Sequence, residues 1–167
     1  MIKKSSLLYC FLITFISSVT FADEPKSAGK YKNWEAFTYT DDKGKICFAQ
    51  TIPKERSPKA LKREASRLFV TFRKTEKIKN EISVTSGHIY RQSSVVAKSG
   101  KNKFELFSQG SFAWILDGEE EFNLIKVMKR ASQLTIAATA KNGNQTRDLY
   151  SMMGFTKAYN TAKKSCA

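Results

Sequence analysis

The spacing of its apolar residues constrains this chain more than any other feature. Short runs of alternating apolar and polar residues recur about every ten residues, with turn-forming clusters between them. Trp34 to Thr40 and Ile46 to Ile52 flank Asp41-Asp42-Lys43-Gly44 and read as a hairpin. Leu68 to Arg73, Glu81 to Ser86, Ser93 to Lys98, Phe104 to Ser108 and Phe112 to Leu116 continue the series. Gln133 to Ala140 and Gln145 to Met152 form a second hairpin around Asn142-Gly143-Asn144.

Two stretches change period. Asp117 is placed to cap a helix whose first turn holds Glu119, Glu120 and Glu121 and whose end holds Lys126, Lys129 and Arg130, an order that suits the helix dipole. Phe122, Ile125 and Met128 recur there at helical spacing. Phe155, Ala158, Tyr159 and Ala162 mark a second short amphipathic helix that leads into Cys166. Helices do not alternate with strands, so parallel βαβ units are excluded. The pattern predicts a mainly β fold: an antiparallel β-sandwich or barrel of about eight strands with two short helices.

The N-terminus bounds the compartment. Lys3 and Lys4 precede an apolar stretch from Leu7 to Val19, followed by Thr20-Phe21-Ala22. That is the order of a secretory signal peptide cleaved after Ala22. A spanning helix needs about 20 apolar residues, which this stretch lacks. Cys10 is expected to leave with the signal. Residues 23–33 are polar, hold Pro25 and Gly29, and are expected to be a flexible mature terminus; residues 34–167 are expected to form one β-rich domain.

Removal of residues 1–22 leaves 27 basic against 15 acidic residues. Charge of this size speaks to partners and not to fold. Nucleic acid is not an expected partner of an exported protein. An anionic envelope or host polymer, such as lipopolysaccharide or an acidic glycan, is, and peripheral membrane association is compatible with the charge. The segment from Pro53 to Arg67 breaks the strand pattern with two prolines and carries Lys54, Arg56, Lys59, Lys62, Arg63 and Arg67. It reads as an exposed basic loop, and these six residues are the candidate anion-binding set.

The search for chemistry yields no catalytic, cofactor-binding or metal-binding residues. His88 is the one histidine, too few for a histidine-based triad or a zinc site. Neighbouring glutamates at 119–121 point about 100° apart on a helix and do not converge on one ion. Cys47 and Cys166 are an even pair in an exported chain and are expected to form a disulfide. Chain entropy gives such a bridge at most roughly 5 kcal/mol. The aromatics Phe37, Tyr39, Phe48, Phe69, Phe72, Phe104, Phe107, Phe112 and Trp114 are expected mainly in the core, with a lysine-rimmed binding face as the alternative.

Trp34 opening the first strand, Cys47 in the second, Phe112 to Trp114 before a helix with Met128, the segment Asp148 to Ala158 and a terminal Cys166 occur in a distinctive order. In this order the chain resembles the invasion-associated locus B family of secreted Gram-negative bacterial proteins. The resemblance spans residues 34–166 and implies a periplasmic or outer-membrane-associated protein, linked in some pathogens to host-cell invasion. It carries over no active-site residue. The expected function is therefore a non-enzymatic secreted envelope protein that binds an envelope or host-surface component. The alternatives are a periplasmic envelope-maintenance or stress factor and, third, a carboxylate-based hydrolase.

Overall fold

The computed structural model describes residues 24–167. The signal-like segment at 1–22 and Cys10 lie outside them. Eleven strands and two helices follow in chain order. The strands are β1 (Lys26–Tyr31), β2 (Trp34–Asp41), β3 (Gly44–Thr51), β4 (Glu55–Ser57), β5 (Arg67–Arg73) and β6 (Ile78–Thr85), then β7 (Val95–Ser99), β8 (Asn102–Gln109), β9 (Phe112–Trp114), β10 (Gln133–Thr139) and β11 (Gln145–Ser151). Helix α1 (Gly118–Arg130) lies between β9 and β10, and α2 (Phe155–Ser165) follows β11.

The strands form one antiparallel sheet in the order β1-β2-β3-β5-β6-β9-β8-β7-β10-β11-β4. β1 and β4 remain as free edges, so the sheet is not a closed barrel, and the strand number exceeds the eight anticipated. β8 joins two portions of the sheet, β1-β2-β3-β5-β6-β9 and β7-β10-β11-β4: Asn102 to Leu106 pairs with β7 and Phe107 to Gln109 with β9. Inward residues of both portions enter a single core that includes Trp34, Leu68, Val84, Leu134, Ile136 and Tyr150.

Two of the strands were not expected. Residues 26–31, read from the sequence as flexible, pair with β2 as an edge strand, with a bulge between Ser27 and Gly29. An edge strand of this kind needs only backbone pairing on one side, so polar residues suffice. β4 lies inside the presumed basic loop and pairs with β11 through Arg56 opposite Asp148.

The helices pack where their apolar residues direct them. Asp117 caps α1, accepting from the Glu119 and Glu120 amides. Leu124, Ile125 and Met128 are buried, whereas Phe122, expected on that face, is 51% exposed with the Lys126 ammonium 4.3 Å from its ring centroid. All four expected apolar residues of α2 are buried. Phe155 lies 4.8 Å from the ring of Trp34, and Tyr159 lies 5.3 Å from Phe72. An isolated 11-residue helix is marginal in water, so this packing holds α2 in place. Gly154 makes the approach possible: its φ is 97°, and a Cβ there would sit 1.8 Å from the Tyr31 carbonyl oxygen. The Cα atoms of Cys47 and Cys166 are 5.8 Å apart in the disulfide that ties the end of α2 to β3.

Strand alternation also corrects the reading of the aromatics. Ala36, Ala49 and Val70 face inward, which turns Phe37, Phe48 and Phe69 to the outer face. There Phe37 stacks on Phe48 at 5.2 Å, and Tyr39 and Phe69 meet Phe48 edge-on. Phe107 and Phe112 are 45% and 41% exposed. Of the nine, Phe72 is fully in the core and Phe104 packs partly against it.

Candidate anion-binding site

The six basic residues singled out between Pro53 and Arg67 do not form one patch. Arg63 is interior. Its guanidinium makes two hydrogen bonds to the Asp148 carboxylate, at 2.6 and 2.9 Å, and donates to the Ser86 carbonyl at 2.9 Å. The two side chains are 3% and 0% exposed. A guanidinium offers a planar fork that matches a carboxylate, and a buried charge demands such a partner. Arg56 is half-buried and donates to the Glu64 carbonyl. Both arginines therefore hold the segment onto the sheet, and Arg63 presents no charge to solvent. Gly87 allows the segment to lie close: its φ is 73°, and a Cβ would come within 2.0 Å of the Glu64 oxygen.

Lys59 and Lys62 are exposed beside this clamp. Lys54 and Arg67 belong elsewhere. With Lys30 and Lys32 they surround a cleft of about 410 Å³. Lys30 comes from β1. Lys32 follows in the β1–β2 turn, where its φ of 55° places it in the left-handed region. Lys54 is held just beyond β3 by its backbone N–H, which donates to the Leu149 carbonyl at 2.7 Å. Arg67 opens β5 and is half-buried. Trp34, Gln50 and Thr51 line the same cleft. Trp34 is fixed by its indole N–H, which donates to the Ser151 carbonyl at 2.8 Å, and the Thr51 hydroxyl donates to the Asn33 carbonyl at 2.6 Å.

Glu35 is the one acidic residue lining the cleft, and its carboxylate accepts from the Ser27 hydroxyl at 2.7 Å. Among the described residues, no ion pair engages Lys30, Lys32, Lys54 or Arg67. Three ammonium groups on flexible stems and one guanidinium fork line a cleft whose walls mix polar and apolar residues. Such a set suits a multivalent anion: ammonium groups act as point charges, and the fork takes two oxygens of a phosphate, sulfate or carboxylate. Lys30 and Lys32 escaped the sequence reading because they lie in the stretch taken for a flexible terminus.

Other titratable groups are engaged in the scaffold. His88 Nε2 lies 2.9 Å from the Thr146 hydroxyl, and its ring stands edge-on to Tyr90. Burial lowers its pKa from 6.5, aided by Arg63 and Arg56 and opposed by the Ile89 carbonyl and Asp148. Burial also pushes the Tyr90 hydroxyl up to about 12. Of the Glu119–Glu121 run, Glu121 accepts from the Ile82 amide at 2.8 Å and its pKa is raised by burial, while Glu119 and Glu120 are exposed. Among the described residues no group of three His, Cys, Asp or Glu is placed to hold a metal ion, and no helix is long and apolar enough to cross a membrane.

No family model matches the chain, and no curated protein matches it in sequence. A solved structure shares its architecture. The fold is similar to that of invasion associated protein B. That protein, from Bartonella henselae, superposes with a TM-score of 0.59 over 86% of this chain and 97% of its own, at 16% sequence identity. At such identity the likeness to invasion associated protein B is one of fold.

Proposed function

We propose that this chain is a non-enzymatic, envelope-related binding protein that takes an anionic polymer in the Lys30–Lys32–Lys54–Arg67 cleft. The observation that carries this reading is that four cations from three separate parts of the chain, without ion-pair partners among the described residues, line one cleft. The fold likeness to invasion associated protein B supports an envelope setting. Export with cleavage after Ala22 completes the proposal, and the Lys3-Lys4 and apolar segment at the N-terminus supports it.

Magnitudes favour a polymer over a small ion. An exposed ion pair contributes about 0–1 kcal/mol, so four contacts of about 0.5 kcal/mol each reach about 2 kcal/mol, roughly a thirtyfold gain. A polymer with repeated phosphates or sulfates offers the cleft many closely spaced groups, so their effective concentration rises without new contacts. The Debye length of about 8 Å at physiological salt makes the binding salt-sensitive.

The test is binding to immobilised lipopolysaccharide and, separately, to a sulfated glycan as salt rises. Lys30→Gln/Lys32→Gln/Lys54→Gln should lose about tenfold in affinity at physiological salt. Lys98→Gln/Lys101→Gln/Lys141→Gln removes the same charge from exposed positions outside the cleft and should stay near wild type. Equal weakening of both variants would show that only net charge acts.

A further inference from the structure

We infer that the chain has a second binding site, for a single-chain anionic amphiphile: an acyl or alkyl chain ending in a phosphate or carboxylate. The site is a groove of about 430 Å³ beside the disulfide. It lies between the start of β6, the β5–β6 turn and the end of α2. Its floor is apolar, formed by Phe72, Ile78 and Cys166. Lys74, Lys77, Lys79 and Lys163, all exposed, line the same groove with Ala167, whose carboxylate offsets one of their four charges; no aspartate or glutamate lines it.

The nearby acids are already engaged. Glu76 and Glu81 both pair with Arg73, at 3.4 and 2.8 Å. Asn80 also lines the groove, and its side-chain carbonyl accepts from the Tyr159 hydroxyl at 2.6 Å, which leaves its amide nitrogen to donate elsewhere. The groove thus combines an apolar strip, four exposed cations and one oriented amide. Lysine stems add apolar area while their ammonium groups reach water. An apolar pocket of this size with a few polar groups is the usual form of a small-ligand site. An inorganic anion would leave the floor unused, and a neutral chain would leave the cations unused. An anion carried on a chain uses both.

This groove is electrostatically separate from the cleft described above. Arg67 opens β5 and Lys74 follows its end, and the 7 residues of that strand span about 23 Å. That exceeds the Debye length of about 8 Å at physiological salt. The two proposals therefore stand or fall independently.

The test is titration of the isotope-labelled protein with monomeric dodecyl phosphate and dodecanoate below their micelle concentrations. Dodecyl maltoside and inorganic phosphate serve as the chain-only and head-only probes. Both anionic amphiphiles should shift the Ile78 and Asn80 amide signals and bind at least tenfold more tightly than either control probe. Affinity should rise with chain length from octyl to dodecyl by up to about fourfold per methylene. Lys79→Gln/Lys163→Gln should weaken binding at least fivefold, and Lys30→Gln/Lys32→Gln/Lys54→Gln should leave it unchanged. The preference between dodecyl phosphate and dodecanoate distinguishes a phosphate headgroup from a fatty acid. Equal binding of the maltoside, equal binding of inorganic phosphate, shifts confined to other residues, or no binding would each overturn the inference.

Discussion

Arg63 and Asp148 show why a basic residue in a lysine-rich segment need not serve a ligand. The pair is buried and bidentate, and it joins the β4–β5 segment to β11. Removing one partner leaves a buried charge unmatched, so Asp148→Asn should destabilise the fold by about 3–5 kcal/mol. Replacing both residues together with apolar residues of similar volume should cost less than the sum of the single changes. Chemical unfolding of the two single variants and the double variant measures this cycle; additive losses would contradict the clamp. His88 belongs to the same neighbourhood. Burial lowers its folded pKa below the unfolded value of 6.5, so the folded state favours the neutral ring. The His88 contribution to stability is therefore complete above about pH 6.5 and is lost as pH falls through the lower folded value. Unfolding midpoints between pH 7.5 and 5 should drop less steeply for His88→Gln than for wild type. Parallel curves would show that the ring titrates alike in both states.

Among the elements, α2 depends on two devices. Its apolar face packs on β2, β3 and β5, and the Cys47–Cys166 bridge, at a sequence separation of 119, secures its end. Replacing both cysteines with serine should cost about 2–5 kcal/mol. Peptide mapping without reduction should recover the two cysteine peptides linked, and free thiols in protein from an oxidising compartment would contradict the bridge. Gly154→Ala should also destabilise, because the new methyl group meets the Tyr31 carbonyl in a backbone conformation that favours glycine. These elements differ in how far the sequence revealed them. Phe155, Ala158, Tyr159 and Ala162 repeat at helical spacing, and Leu134 and Ile136 alternate, so α2 and β10 were legible. β1 was not, because its residues pack little and its register comes from β2. β4 was hidden for a related reason: three residues carry no period, and only β11 defines them. The outward position of Phe37, Phe48 and Phe69 follows from alternation, yet which face is interior depends on α2 covering Ala36 and Ala49.

At the scale of the whole molecule, basic residues gather at both ends of the β2-β3-β5 layer, and tertiary structure alone separates their roles. Lys54 and Arg67 stood in one candidate set with Arg56 and Arg63, yet the first two line the cleft whereas Arg56 and Arg63 bind the protein itself. Lys30 and Lys32 join them only because β1 brings the β1–β2 turn beside the end of β3. Protein taken from the envelope should begin at Asp23, as the proposed export requires, and an intact mass retaining residues 1–22 would contradict that part of the proposal. The central claim is that the cleft itself contacts the polymer. Lysine acetylation followed by mass spectrometry, with and without saturating lipopolysaccharide or sulfated glycan, reads each ammonium group separately. Lys30, Lys32 and Lys54 should be protected several-fold more than Lys98, Lys101 and Lys141. Uniform protection across the surface, or protection that spares Lys30, Lys32 and Lys54, would contradict the account.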